Sequence, residues 1–223
     1  MTTSAPYYGD SSVMRTPPPD LPSLLLKERI VYLGLPLFSD DDTKRQVGID
    51  VTELIIAQLL YLEFDNPDKP IYFYINSTET SWYTGDAIGF ETEAFAICDT
   101  LRYVKPPVHT ICIGQAMGTA AVILSAGTKG QRAALPHASI VLHQPRSGAR
   151  GQATDIQIRA QEVLHNKRAM LEILSTNTGR SVEELSKDSD RMSYLTPEQA
   201  KEYGLIDRVL TSRKDLPAPV PAA

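Results

Sequence analysis

The segment Val108 to Gly127, VHTICIGQAMGTAAVILSAG, reads as a strand, a tight turn and a helix of small residues. Such a turn aims one side chain past the end of a strand, while the free N–H groups of the helix face an anion. An acyl-transfer centre would carry a serine there. The residue is Gly118, which has no atom to attack with. A base of the right type follows at His143, in the string from Ile140 to Pro145, IVLHQP. Thr119 is no substitute, because one helical step turns its hydroxyl by about 100°. Ser125 lies deeper in the helix and reads as a core hydroxyl bonded to backbone. The frame of a hydrolase is present without its working atom.

Metal or cofactor chemistry finds no support beside it. His109, His137 and His165 show no ligand spacing with His143, and the two cysteines, Cys98 and Cys112, sit singly in apolar runs. They read as buried small hydrophobes in a reducing compartment.

The elements that must position these residues alternate along 223 residues, enough for one α/β domain with tails. A strand is expected over Leu26–Leu33 and a helix over Val51–Phe64, with Leu54, Ile55, Gln58, Leu59 and Leu62 on one face. Asp65 to Pro70 breaks that helix and delivers a strand over Ile71–Ile75, and a later helix reaches about Tyr103. The longest helix is expected from Thr154 to about Asn177, closed by Gly179, with Ala160, Val163, Leu164, Met170, Leu171 and Leu174 as apolar positions. Ser181 with Glu184 predicts a capping box, and Thr196 with Pro197 starts a last helix that Gly204 closes. A proline-rich, polar N-terminal extension over residues 1–22 and a proline-rich tail over 212–223 flank a folded unit over 23–211. The net charge of −5 argues against nucleic-acid or anionic-membrane partners. No window approaches the roughly 18 apolar residues of a membrane span.

Six strings carry a resemblance: LLKER ending at Arg29, YFYINS ending at Ser77, GQA ending at Ala116, HQP ending at Pro145, GQATDI ending at Ile156 and EYGL ending at Leu205. In this order and over nearly the whole folded part, the chain resembles the Clp protease proteolytic subunit family, ClpP. The resemblance implies an α/β fold of the ClpP/crotonase-like type, with stacked βαβ units in a head domain and a projecting handle helix. It also places the family's catalytic triad on Gly118, His143 and Met192, so nucleophile and orienting carboxylate are both missing. The family's glycine-rich oxyanion loop is replaced by Thr78 to Gly89, about nine residues longer, an insertion that loop-closure entropy tolerates.

These departures resemble ClpR, the non-catalytic branch of cyanobacteria and plastids. The expected role is a structural subunit of an ATP-dependent Clp core, in a mixed tetradecamer of heptameric rings with catalytic ClpP-type subunits. A Clp-family AAA+ unfoldase and unfolded protein substrates are the further partners, and no cofactor is expected. Alignment with the family assigns unfoldase docking to Tyr72, Tyr74, Tyr103, Ile111, Ile113 and Leu210, and ring–ring contact to Asp190 and Arg191. The family's docking aromatic is Ala133 here. With no transit peptide read in the N-terminal stretch, a cyanobacterium-like cytoplasm is expected over a plastid stroma. Two alternatives remain open. One is residual serine peptidase activity; the other is a repurposed crotonase-like enzyme using Glu79, Asp86 or Glu91. In the structural reading, Trp82 and Tyr83 of the inserted loop would plug the dead cleft, and those three acids would form a rim.

Overall fold

A computed structural model describes residues 20–35, 37, 51–78, 91–145, 151–212 and 215. In chain order the elements are α1 (Leu21–Lys27), β1 (Ile30–Leu33), α2 (Val51–Asp65), β2 (Ile71–Ser77), α3 (Glu91–Tyr103), β3 (Val108–Met117) and α4 (Thr119–Ser125). They continue with β4 (Ala133–Ala134), β5 (Ser139–Leu142), α5 (Ala153–Thr178), α6 (Val182–Asp188), β6 (Ser193–Leu195), α7 (Pro197–Tyr203) and β7 (Arg208–Val209).

The sheet runs β1-β2-β3-β4-β7 with every pair parallel. The long strand β3 forks. Its first half pairs with β4 through Ile111 and Cys112, and its last three residues pair with β5 from Gln115↔Ser139 to Met117↔Val141. β6 then adds antiparallel to β5. One core fills one side of the sheet, with Phe73, Ile75, Ile97 and Cys98 inaccessible to solvent. All seven residues of α4 are buried in it. The adjacent Ala120 and Ala121 let that helix approach closely, while Val122, Ile123 and Leu124 contribute about 1.5–3 kcal/mol each.

Several expectations are corrected. Leu26 and Lys27 belong to α1, so the first strand begins only at Ile30. On α2 the buried face is Val51, Thr52, Ile55, Leu59 and Leu62, whereas Leu54 is exposed. In α5 nothing before Asn166 is buried, so Ala160, Val163 and Leu164 line a projecting arm rather than a core face. The capping boxes at Ser181 and Thr196 are formed, and Gly179 and Gly204 close their helices with φ of 81° and 93°.

Two buried arginines hold helix ends to the sheet. Arg29 donates to the carbonyls of Leu62, Asn66, Lys69 and Pro70 and pairs with Asp65 at 3.1 Å, closing the end of α2. Arg132 pairs with Asp207 at 2.7 Å and donates to the carbonyls of Ser125 and Asn177, at the ends of α4 and α5. Helix-end carbonyls lack partners within their helix, so each guanidinium satisfies groups that burial would otherwise orphan.

Candidate functional site

The turn after β3 keeps the backbone of a nucleophile elbow. Gly118 has φ 53° and ψ −115°, a strained conformation for any residue with a Cβ. Backbone alone holds it: its N–H donates to Val141 at 2.8 Å, and its carbonyl accepts from Ala121 at 3.0 Å and Val122 at 3.2 Å. The next residue, Thr119, is buried at the first position of α4. Ser125 donates to the Val122 carbonyl at 2.7 Å and accepts from Asn177, so its oxygen is committed to structure.

The other two aligned positions meet the turn at the end of β5. His143 follows that strand directly, two residues after the carbonyl that fixes Gly118. The antiparallel register Ile140↔Leu195, Val141↔Tyr194, Leu142↔Ser193, carried one step further, sets Met192 across from His143. Thus Gly118, His143 and Met192 gather at one end of the sheet. His143 has its Nδ1 2.9 Å from the Gln144 carbonyl. Met192 brings a thioether, a weak acceptor without charge, and its sulfur lies 3.9 Å from the Tyr194 hydroxyl. A neutral thioether cannot stabilise an imidazolium as a carboxylate does.

Both thiols are unfit as nucleophiles, since burial pushes Cys98 and Cys112 up to about 12. Glu91, expected on an acidic rim, is 3% exposed at the start of α3, so it cannot form part of a solvated edge. The rest of that expectation, with Glu79, Asp86, Trp82 and Tyr83, lies outside the described residues. Among the described residues no group of three or more His, Cys, Asp or Glu side chains could hold a metal ion, and no helix is long and apolar enough to cross a membrane.

A second region forms on the other half of β3. Tyr72, Ile111, Ala133 and Leu210 make a small apolar cluster separate from the core, with Ile30, Tyr74 and Ile113 packed half-buried against it. Five of the six aligned docking positions therefore come together. Tyr103 does not join them; it is 77% exposed at the end of α3. The Lys105 N–H donates to Glu63 at 3.0 Å, so the chain after Tyr103 runs beside the end of α2. There Leu60, Tyr61 and Phe64 are exposed, the last by 89%. At the cluster's border, the rings of Tyr72 and His109 stand 4.9 Å apart. Burial, and then the Arg208 charge, hold His109 below its ordinary value, which keeps it neutral at neutral pH.

Sequence reading missed three positioning contacts. Asn76 accepts the Gln115 N–H at 3.2 Å across a register shift between β2 and β3, and a Cβ at Gly114 would meet its oxygen at 2.5 Å. The strings YFYINS and GQA are thus two sides of one contact below the elbow, a pairing that neither string displays alone. Lys167 of α5 donates to the Gln144 carboxamide at 3.0 Å, which in turn donates to the Asp190 carbonyl at 3.2 Å. The arm is thereby tied to the segment carrying His143 and to the turn carrying Asp190 and Arg191, both exposed. Arg132 pairs with Asp207 across 75 residues, a contact that leaves no local signal.

Comparison with known proteins agrees with this arrangement. The chain matches the Clp protease family over residues 19–213. It is 80% identical over 218 residues to an ATP-dependent Clp protease proteolytic subunit-like protein of Synechococcus elongatus, covering 98% of this chain and 95% of that one. A protein of the same description from Synechocystis is 78% identical over 214 residues, covering 96% of this chain and 95% of the other. The chloroplastic ATP-dependent Clp protease proteolytic subunit-related protein 4 of Arabidopsis thaliana is 45% identical over 207 residues, 93% of this chain and 64% of its own. The match spans the forked sheet, the elbow and the arm alike, and the chain belongs to the Clp protease family, on the side of its proteolytic subunits and their ClpR-like relatives.

Proposed function

We propose that the chain is a non-catalytic structural and regulatory subunit of an ATP-dependent Clp protease core. It completes mixed heptameric rings with active ClpP-type subunits, and two rings pair into a tetradecamer. A Clp-family AAA+ unfoldase delivers unfolded protein substrates, docking at the apolar cluster, and peptide hydrolysis is left to the neighbouring subunits. Its place is the cytoplasm of a cyanobacterium-like cell.

The observation that carries this reading is Gly118, an elbow backbone with no side chain to become an acyl-enzyme. Met192 opposite the end of β5 supports it, because restoring a hydroxyl alone would still leave His143 without an orienting carboxylate. Assembly is supported by surface that a solitary protein rarely leaves bare. Tyr61, Phe64 and Tyr103 on the head, and Ile158 and Leu164 on the arm, are all exposed. Arg191 and Asp190 contribute to the ring–ring contact.

The test is co-expression with a catalytic ClpP-type subunit, followed by native mass spectrometry and labelling with a serine-directed fluorophosphonate. Mixed rings labelled only on the partner are expected. Labelling or robust peptide turnover by this chain alone, or elution of the two chains apart at every ratio, would overturn the proposal.

A further inference from the structure

We infer that the charge of His109 gates the apolar cluster. The neutral ring completes the face that a docking partner's apolar anchor covers, and the imidazolium breaks it. The sheet register places the residue. Alternate residues of β3 face opposite sides, so His109 shares a side with Ile111 and Ile113 of the cluster, whereas Val108 and Cys112 belong to the core. One row across that side reads Ile30, Tyr72, His109, and the next reads Tyr32, Tyr74, Ile111, Ala133, Arg208. His109 ends the first row, because β4 is only two residues long and starts opposite Ile111. It is 6% exposed, and its ring lies 4.9 Å from that of Tyr72 at an angle of 45°.

The surroundings tolerate the neutral ring and oppose the charged one. Burial strips water from it, and the Arg208 charge acts on it from the next row. That guanidinium reaches the Gly130 carbonyl and the Gln131 side chain, in the turn just before β4. Lys129 of the same turn is a further cation, exposed to solvent. Tyr72 and Tyr74 are phenols, uncharged at neutral pH. The Asp215 carboxylate accepts from Thr211 and Ser212 instead, and among the described residues no carboxylate acts on His109. An imidazolium there has a cation for a neighbour and little water, so it swings out to solvent and withdraws the support beside Tyr72 and Ile111. A partner's anchor laid over the face removes the remaining water. Docking is therefore linked to one proton, and affinity falls by at most about tenfold per pH unit once the free ring protonates. Stability follows the same sign: the folded value lies below the ordinary 6.5, so the penalty begins as pH falls through 6.5 and is complete below the folded value.

The gate rests on the docking role proposed above, and the test separates the two. The full-length chain, with labelled histidine rings and isoleucine and leucine methyls, is titrated by NMR. His109 should titrate below 6.5. Its nuclear Overhauser contacts with the Tyr72 ring should be lost at that midpoint, and the Ile111, Ile113 and Leu210 methyls should move with it. Contacts that persist through the midpoint, or methyls that ignore it, would overturn the inference without any variant being made. Binding of a Clp-family AAA+ unfoldase to the mixed complex is then measured on acidification, for wild type and His109→Gln, each scaled to its own value at neutral pH. The wild type should lose up to about tenfold more per pH unit than the variant, whose side chain never charges. Coincident profiles would also sink the gate. Ile113→Ser in the same assay tells the readings apart: if it weakens binding while the profiles coincide, only the gate is wrong. If it too has no effect, the docking role falls and the gate with it.

Discussion

The two halves of β3 border regions with opposite fates. Its last three residues lead into a turn at Gly118 that offers no reacting side chain, while its first half carries Ile111 into an apolar cluster built of side chains. The difference lies in what holds each region. Hydrogen bonds between backbone groups of Gly118, Val141, Ala121 and Val122 define the turn, so a residue without a side chain preserves it. The cluster is nothing but side chains, and its position depends on Arg132 and Asp207, the residues that immediately precede β4 and β7. Chemistry can be removed from a scaffold of backbone bonds at little cost to the fold, whereas a surface of side chains persists only where its residues do.

The largest effect on stability should come from the contact under the cluster. Arg132→Met leaves Asp207 uncompensated and orphans the carbonyls of Ser125 and Asn177, a loss of about 3–5 kcal/mol that chemical denaturation would measure. The same pair sets an acid limit. Burial acts to raise Asp207, but hydrogen bonds from the Arg132 side chain and backbone outweigh it and hold the carboxyl below its ordinary 3.8. Its contribution is therefore complete above that ordinary value and is lost as pH falls through the lowered one. The melting temperature should drop on acidification in the wild type, and Asp207→Asn should flatten that drop. An unchanged acid profile in the variant would remove the pair from the account.

Next in size is Gly118→Ser. A Cβ at φ 53° and ψ −115° should cost about 1–3 kcal/mol of strain, and peptidase assays should show no recovered turnover. Stability without loss would mean that the turn relaxes. Activity would mean that His143 needs no carboxylate, and the contrast between the two regions would collapse.

The smallest effect should come from Ile113→Ser, on a half-buried residue at the edge of the cluster. Unfolding should move by no more than about 1 kcal/mol, while unfoldase-dependent degradation by the mixed complex should fall. Degradation unchanged for every substrate would show the cluster to be structural only.

Much of this contrast could be read in the sequence because its signals are local. Capping boxes at Ser181 and Thr196 and the closing glycines Gly179 and Gly204 are short-range chemistry, and the glycine at position 118 is visible as one letter. The face of α2 was less legible. Leu54 and Leu59 look alike in a periodic run, and only the packed sheet decides that one is buried and the other exposed. The arm misled for a related reason: Val163 and Leu164 carry the pattern of a core face but lie on the stretch of α5 in which nothing is buried. Arg29 and Arg132 escaped because their carboxylate partners, Asp65 and Asp207, lie 36 and 75 residues away, and the rest of their partners are carbonyls, which every residue possesses and no sequence advertises.

The conformation of Gly118 also bears on the order in which the residues around it could change. A serine on this turn is strained, and catalysis is what justifies the strain. With Met192 rather than a carboxylate across from His143, a serine at position 118 would bring only the penalty, and its replacement by glycine would be a release. The return path runs uphill, since serine alone restores the strain without the reaction. A single-step reversion is therefore disfavoured at both levels, in stability and in activity. The turn works as a ratchet: any lineage that has passed this point should be found holding glycine, or another residue at ease with positive φ, rather than oscillating back to serine.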